Sequence, residues 1–263
     1  MLYHNVLIEA GVGGTMRRFW VIVISLGIIG GVAALEFWSD RQFPEIEFEP
    51  GTLPPLEVGV EREYDYFKNE NKAGSYVFWV ESKAPYGGGV AYFTRSNTSI
   101  AYKYQSIKIE TIYVFSEGLA PLEYRMNASL DGVDRFITCS FDGWSVDATL
   151  VLEENTLEES EELPEGTVLI GYYMLAHWDL LLKAFPPVPG KRFVVNAYVP
   201  QILTFRPMAV LTDAKPKTIR INGIDYECSV VRVPELNLDL YIHEGDVIKL
   251  HDIQESIVIS IRG

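Results

Sequence analysis

The sequence predicts a mainly β protein: an extracytoplasmic antiparallel half-barrel or curved sheet with one buried lid helix, preceded by an N-terminal transmembrane helix. Three features carry that prediction. From about residue 57 onward, runs of alternating aromatic and β-branched residues recur with turn residues between them. Residues 167–185 (TVLIGYYMLAHWDLLLKAF) form one apolar stretch of helical rather than alternating character. Residues 19–35 (FWVIVISLGIIGGVAAL) carry no charge at all.

In chain order, residues 1–15 (MLYHNVLIEAGVGGT) fit neither a signal n-region nor a domain. The codons for Gly11-Val12-Gly13-Gly14 must be G-rich and resemble a ribosome-binding site just upstream of Met16. Met16 is therefore the expected start, with a short cytoplasmic tail as the alternative. Residues 16–38 read as a transmembrane anchor. As a helix, the uncharged run is about 26 Å long, enough with Phe37 and Trp38 to cross a hydrocarbon core of about 30 Å. Arg17 and Arg18 precede it, and Glu36 and Asp40 follow it. Positive charge stays inside, so the C-terminal part is expected outside. Val32-Ala33-Ala34 also fits a signal-peptidase site, and cleavage after Ala34 would release a secreted protein. No cysteine follows the run, so lipoprotein processing at that point is excluded.

Residues 39–56 contain Pro44, Pro50, Pro54 and Pro55 among glutamates and read as an extended stalk. Residues 57–263 form the expected β domain. Strands are predicted at 60–67, 75–83, 90–95, 99–104, 107–115, 121–129, 133–141 and 144–152. Leu130-Asp131-Gly132 and Asp142-Gly143 mark hairpins, because glycine supplies the positive φ that tight turns need. Seven of the thirteen residues at 153–165 are glutamate, which predicts a solvated loop held open by self-repulsion. The helix at 167–185 places Asp179 and Lys183 four apart, where they can pair. Those charges and His177 argue against a second membrane span. The run Pro186-Pro187-Val188-Pro189-Gly190 ends the helix. Strands resume at 192–199, 205–211, 218–221, 224–233, 238–243, 247–251 and 256–261.

Composition narrows the function classes. A net charge of −14 argues against a nucleic-acid partner, which needs clustered cations over phosphates. Two cysteines exclude a disulfide-rich scaffold. No HExxH, P-loop, dinucleotide fingerprint or nucleophile elbow occurs. The i, i+2 spacing of His177 and Asp179 points them to different faces. No catalytic residue, metal site or cofactor is therefore expected. Cys139 and Cys228 both fall in predicted strands; a disulfide and two small buried hydrophobes are equally open readings. Asn97 and Asn127 begin N-glycosylation sequons near strand ends.

The segment MLAHWDLLLKAF at 174–185, followed by PPVPGKRF at 186–193 and the closing hairpin LYIHEGDVIKLHD at 240–252, resembles in its order the half-barrel proteins of the lipoprotein-localisation class. That resemblance implies a curved antiparallel sheet around an apolar cavity, covered by helices, that binds acyl chains. It implies no particular contact residue. The absent lipidation cysteine and the preceding anchor argue against a soluble shuttle. Two functions follow as expectations. One is a membrane-tethered, non-enzymatic binding module for a lipid or other apolar ligand, with Phe78, Trp79, Tyr113, Phe115, Tyr173, Trp178 and Leu181 as cavity candidates. The other is a cell-envelope structural or protein-interaction protein with a filled core, in which those same residues are ordinary packing. A cavity of several hundred cubic ångströms separates the two.

Overall fold

The computed structural model describes residues 43–48, 51 and 53–262. The chain divides into two compact units, Met1–Pro44 and Glu45–Gly263, and of the first only Phe43 and Pro44 are described. The expected tail at 1–15 and anchor or signal segment at 16–38 lie outside the described residues, as does the start of the stalk. Among the described residues no helix is long and apolar enough to cross a membrane.

The second unit is built from sixteen strands and one α-helix. The strands are β1 (Glu61–Lys68), β2 (Asn71–Tyr86), β3 (Gly89–Tyr102), β4 (Gln105–Ser116), β5 (Pro121–Leu130), β6 (Val133–Asp142), β7 (Ser145–Leu152) and β8 (Asn155–Glu162). There follow β9 (Val168–Leu169), helix α1 (Leu175–Ala184), β10 (Arg192–Val199), β11 (Thr204–Thr212), β12 (Lys217–Ile221), β13 (Ile224–Val233), β14 (Leu238–His243), β15 (Asp246–Asp252) and β16 (Ile257–Ile261). The sheet order is β8-β7-β6-β5-β4-β3-β2-β1-β16-β15-β14-β13-β11-β10-β9, with β12 paired only to β13. Every ladder is antiparallel except β9–β10. The sheet is therefore open and curved, with edges at β8 and β9, and the first and last strands of the chain, β1 and β16, pair in its middle.

Most strand boundaries lie within a few residues of those the alternation predicts. Four segments differ, each for a physical reason. The strands expected at 90–95 and 99–104 are one strand, β3. The polar run Ser96-Asn97-Thr98 looks like a break, yet its small hydroxyl residues face inward. Ser96 Oγ and Thr111 Oγ1 hydrogen-bond at 2.6 Å, and Thr94 Oγ1 donates to the Tyr113 carbonyl at 2.9 Å.

The glutamate-rich segment is not a loop but the edge strand β8, paired along its length to β7. The ladder overrides the repulsion, and the charges keep this exposed edge from pairing with another chain.

The helix is shorter than predicted. Residues 167–169 are extended, Tyr173 takes φ 56°, and regular helix begins only at Leu175. The intervening turn is held by the Gly171 N–H donating to His177 Nδ1 at 2.8 Å.

From Glu45 on, the stalk expected at 39–56 is, where described, part of the β unit. Ile46 N–H donates to the Arg192 carbonyl at 2.8 Å, and Glu45 bridges Arg192 at 2.7 Å. Phe48 stacks on Phe193 at 5.5 Å, and Leu53 is buried. The apolar residues spaced between the prolines fasten the segment down, which its proline and glutamate content conceals.

One large core runs through the concave side of the sheet. A smaller cluster of Ile219, Ile221, Cys228, Val230, Tyr241 and Ile248 sits beneath the β12–β13 hairpin. Val230 belongs to the small cluster and Val231 to the large one. Strand alternation therefore puts the two clusters on opposite faces of β13. Gly74 marks the closest approach within the sheet: a Cβ there would lie 1.9 Å from the Ser99 carbonyl oxygen.

The disulfide reading does not hold. Cys139 and Cys228 are both buried and free, one in each cluster. Burial pushes the Cys139 thiol up to about 12 and raises that of Cys228. Thiol titration is expected to find both cysteines unreactive in the native protein and both reactive after unfolding. A reductant should leave the melting temperature unchanged; a drop on reduction would refute this.

Candidate functional site

Among the described residues, the concave face of the sheet gathers aromatic, charged and helical groups around one element, and that element is α1. Nine of its ten residues are buried; only Lys183 is not. A helix buried on nearly all faces fills much of the space on that side of the sheet. Neighbouring strands meet it from every side. On β2, the Tyr76 hydroxyl accepts from Ala176 N–H at 3.3 Å. On β4 and β5, the rings of Tyr113 and Tyr124 lie 5.0 and 6.0 Å from that of His177. Phe185, just past the helix, packs against Phe193 of β10 at 4.5 Å.

The fourth side is ionic. Asp179 Oδ2 accepts from Arg62 Nη1 at 3.0 Å and from Lys183 Nζ, while its Oδ1 accepts from Val247 N–H at 2.9 Å. Asp246 Oδ1 accepts from Arg62 at 2.8 Å and from Lys183 at 2.5 Å. Two carboxylates and two cations thus alternate at one end of the helix. Burial opposes the charge on Asp246, but Lys183 and Arg62 outweigh it and hold its carboxyl below the usual range. Burial likewise opposes the Arg62 charge, and Asp179 and Asp246 more than restore it.

Beside this cluster lies a cavity of about 20 Å³ lined by Leu56, Glu57, Val60, Arg62, Phe78, Val80, Asp179, Leu180 and Lys183. That is room for roughly one water molecule, whereas small-molecule sites span about 300–1,000 Å³.

His177 is the one histidine in this core. It is fully buried, and burial lowers its pKa from 6.5 to about 3. Since Nδ1 accepts from Gly171, the neutral ring carries its proton on Nε2. The neighbours are neutral rings and a backbone N–H, so nothing nearby favours the imidazolium. Its folded pKa lies below its unfolded one, so the unfolded state binds the extra proton. Stability is full above about pH 6.5 and falls as the pH drops toward 3, by up to about 1.4 kcal/mol per unit. The low-lying Asp246 acts only further into acid, below its ordinary 3.8. Urea unfolding at several pH values should show this slope in the native chain and a flatter one in His177→Gln. Equal slopes would refute the assignment.

The sequence-derived cavity candidates separate. Phe78, Tyr113, Phe115, Trp178 and Leu181 are buried in the main core, and Phe78 borders the small cavity. Trp79 does not join them: adjacent to Phe78 in β2, it is half-buried on the opposite face of the strand. Tyr173 is half-buried and donates its hydroxyl to Asp252 Oδ2 at 3.0 Å. Asn97 and Asn127 are exposed and lie within β3 and β5 rather than near strand ends, directly opposite Glu110 on its two sides.

Sequence reasoning found the Asp179–Lys183 pair but missed Arg62 and Asp246. Arg62 shares a strand face with the buried Tyr64 and Tyr66, and that anomaly was the available signal. Asp246 opens β15 just after a Glu244-Gly245 turn like many others and gave none. Among the described residues no three His, Cys, Asp or Glu side chains converge as metal ligands.

No protein-family model and no curated protein matches this chain. The solved structures similar to it include the following two. One is a β-barrel-like protein of a domain of unknown function, DUF1849, from Brucella abortus, with 11% identity and a TM-score of 0.46 over 79% of this chain and 98% of that one. The other is a DUF1089 family protein from Pseudomonas aeruginosa, with 12% identity and a TM-score of 0.39 over 68% of this chain and 89% of that one. Of what the segment order implied, the structure shows a curved antiparallel sheet with one helix.

Proposed function

We propose that this protein is a non-enzymatic interaction or structural module of the cell envelope, tethered through its N-terminal apolar segment, which meets its partner with its outer surface. One observation carries this reading. Helix α1 occupies the concave face where a ligand would sit, with nine of its ten residues buried, and the cavity beside its ionic end holds only about 20 Å³. An acyl chain needs more than ten times that space. The competing reading, a carrier of lipid or another apolar ligand, requires α1 to leave the sheet and take its buried ionic end with it. The placement outside a membrane rests on the Arg17-Arg18 flank and the uncharged run after it.

Hydrogen exchange on the full chain in detergent tests the interior. The amides of α1 are expected to exchange only with global unfolding, unchanged by added fatty acid. Native mass spectrometry should find the bare chain mass. Sub-global opening of α1 together with a stoichiometric bound lipid would replace this reading with the carrier one.

A further inference from the structure

The outer face carries a positive island in an otherwise acidic molecule. It centres on Tyr241 of β14. Lys249 Nζ lies 5.1 Å from the centroid of the Tyr241 ring, and Lys217 Nζ lies 5.8 Å from it. The two lysines come from different strands: Lys249 is the register partner of Tyr241 on β15, and Lys217 opens β12. Arg232 stands on the adjoining strand opposite Asp239 and is bridged to Asp213 at 2.8 Å. Lys215 lies in the loop just before β12.

Most basic side chains of this unit are neutralised. Arg62, Lys68, Lys72, Lys83, Arg95 and Arg262, for example, each have a carboxylate within bridging distance. Among the described residues, Lys217 and Lys249 have none within 4.0 Å. Lys249 is half-buried as well. Burial, and then the charge of Lys217, lower its pKa, and Cys228 and Asp239 restore it only in part. A half-buried ammonium whose charge is opposed by a second ammonium on the same ring is an electrostatic cost that the fold offsets only in part. An aromatic face steadies each cation but carries no net charge.

We propose that Lys217 and Lys249, over the Tyr241 ring, form a binding site for an oxyanion of the phosphate class. A dianion between the two ammoniums would neutralise both and accept charge-assisted hydrogen bonds from both. Its source is either a soluble phosphate or a phosphate in a lipid headgroup. This site stands on the outer face and does not depend on how the interior is read.

The probe is inorganic phosphate added to the full chain in neutral detergent, against chloride of matched ionic strength. The readout is NMR of lysines reductively methylated with ¹³C, which keeps their charge. Phosphate is expected to shift the Lys217 and Lys249 resonances together and saturably. It should also raise the depressed titration midpoint of Lys249. The exposed Lys108, on β4, should respond to phosphate only as it does to chloride. Lys217→Met or Lys249→Met should each weaken binding about tenfold or more. A matched circular-dichroism melt would show that each variant is folded.

Flotation with phosphatidylglycerol and phosphatidylcholine vesicles separates the sources. Retention on the anionic vesicles, lost in the double variant, assigns the site to a lipid phosphate. Phosphate binding without such retention assigns it to a soluble anion. If phosphate moves the lysine pair no more than chloride does, or moves Lys108 equally, the site does not exist.

Discussion

Asp179→Ala is expected to cost about 3–5 kcal/mol, or roughly 6–20 °C in melting temperature. The Asp179 side chain is only 4% exposed and holds three donors: Arg62, Lys183 and the Val247 backbone N–H. Alanine would leave that N–H without an acceptor. It would also leave two cations facing a single carboxylate, Asp246, whose side chain is 44% exposed. An exposed ion pair could be lost for less than about 1 kcal/mol, because water replaces the partner. Here the carboxylate is desolvated, so the uncompensated groups dominate. Asp179→Asn keeps an acceptor for Val247 and should fall between alanine and the native chain. Pairing Asp179→Ala with Lys183→Met should cost less than the sum of the two changes, because the second removes a cation the first had stranded. Denaturant unfolding of the four variants, Lys183→Met alone included, measures these costs. A loss below about 1 kcal/mol for alanine would mean the cluster is solvated and does not fasten the helix.

How much of this was legible in the sequence depends on which interactions are local. Period-two alternation shows β10, β13 and β14 to the residue, because a strand with one buried face writes its register into its own sequence. Spacing along the helix pairs Asp179 with Lys183 and separates His177 from Asp179. Each misreading involves something alternation does not encode. Ser96 and Thr98 are polar yet face inward. The glutamates of β8 belong to a strand because β7 offers a ladder, not because they favour one. Phe48 and Leu53 tie down a segment whose prolines suggest a free tether. Arg62 and Asp246 join a helix that lies more than sixty residues from either of them in the chain. A helix that is apolar all round is compatible with a lid over a cavity or a plug within one, and only the sheet's curvature chooses between them.

The second large effect tests that choice. Trp178 is completely buried, and its Nε1–H has no hydrogen-bond partner among the described residues. Trp178→Ala removes the largest side chain on the plug and is expected to cost about 3–5 kcal/mol. Trp178→Phe should be far milder, because losing some packing is offset by removing an unsatisfied donor worth about 1–3 kcal/mol. The alanine variant should also gain a dry apolar void of the kind that takes up benzene or xenon. Such a ligand stabilises whatever state holds it, in proportion to the logarithm of its concentration over its dissociation constant. Benzene is therefore expected to raise the melting temperature of Trp178→Ala and leave that of the native chain unmoved. A native chain that benzene stabilises as strongly as the variant must already contain an accessible apolar space. The helix would then be a movable lid after all, and an apolar ligand would belong where the packed helix now stands.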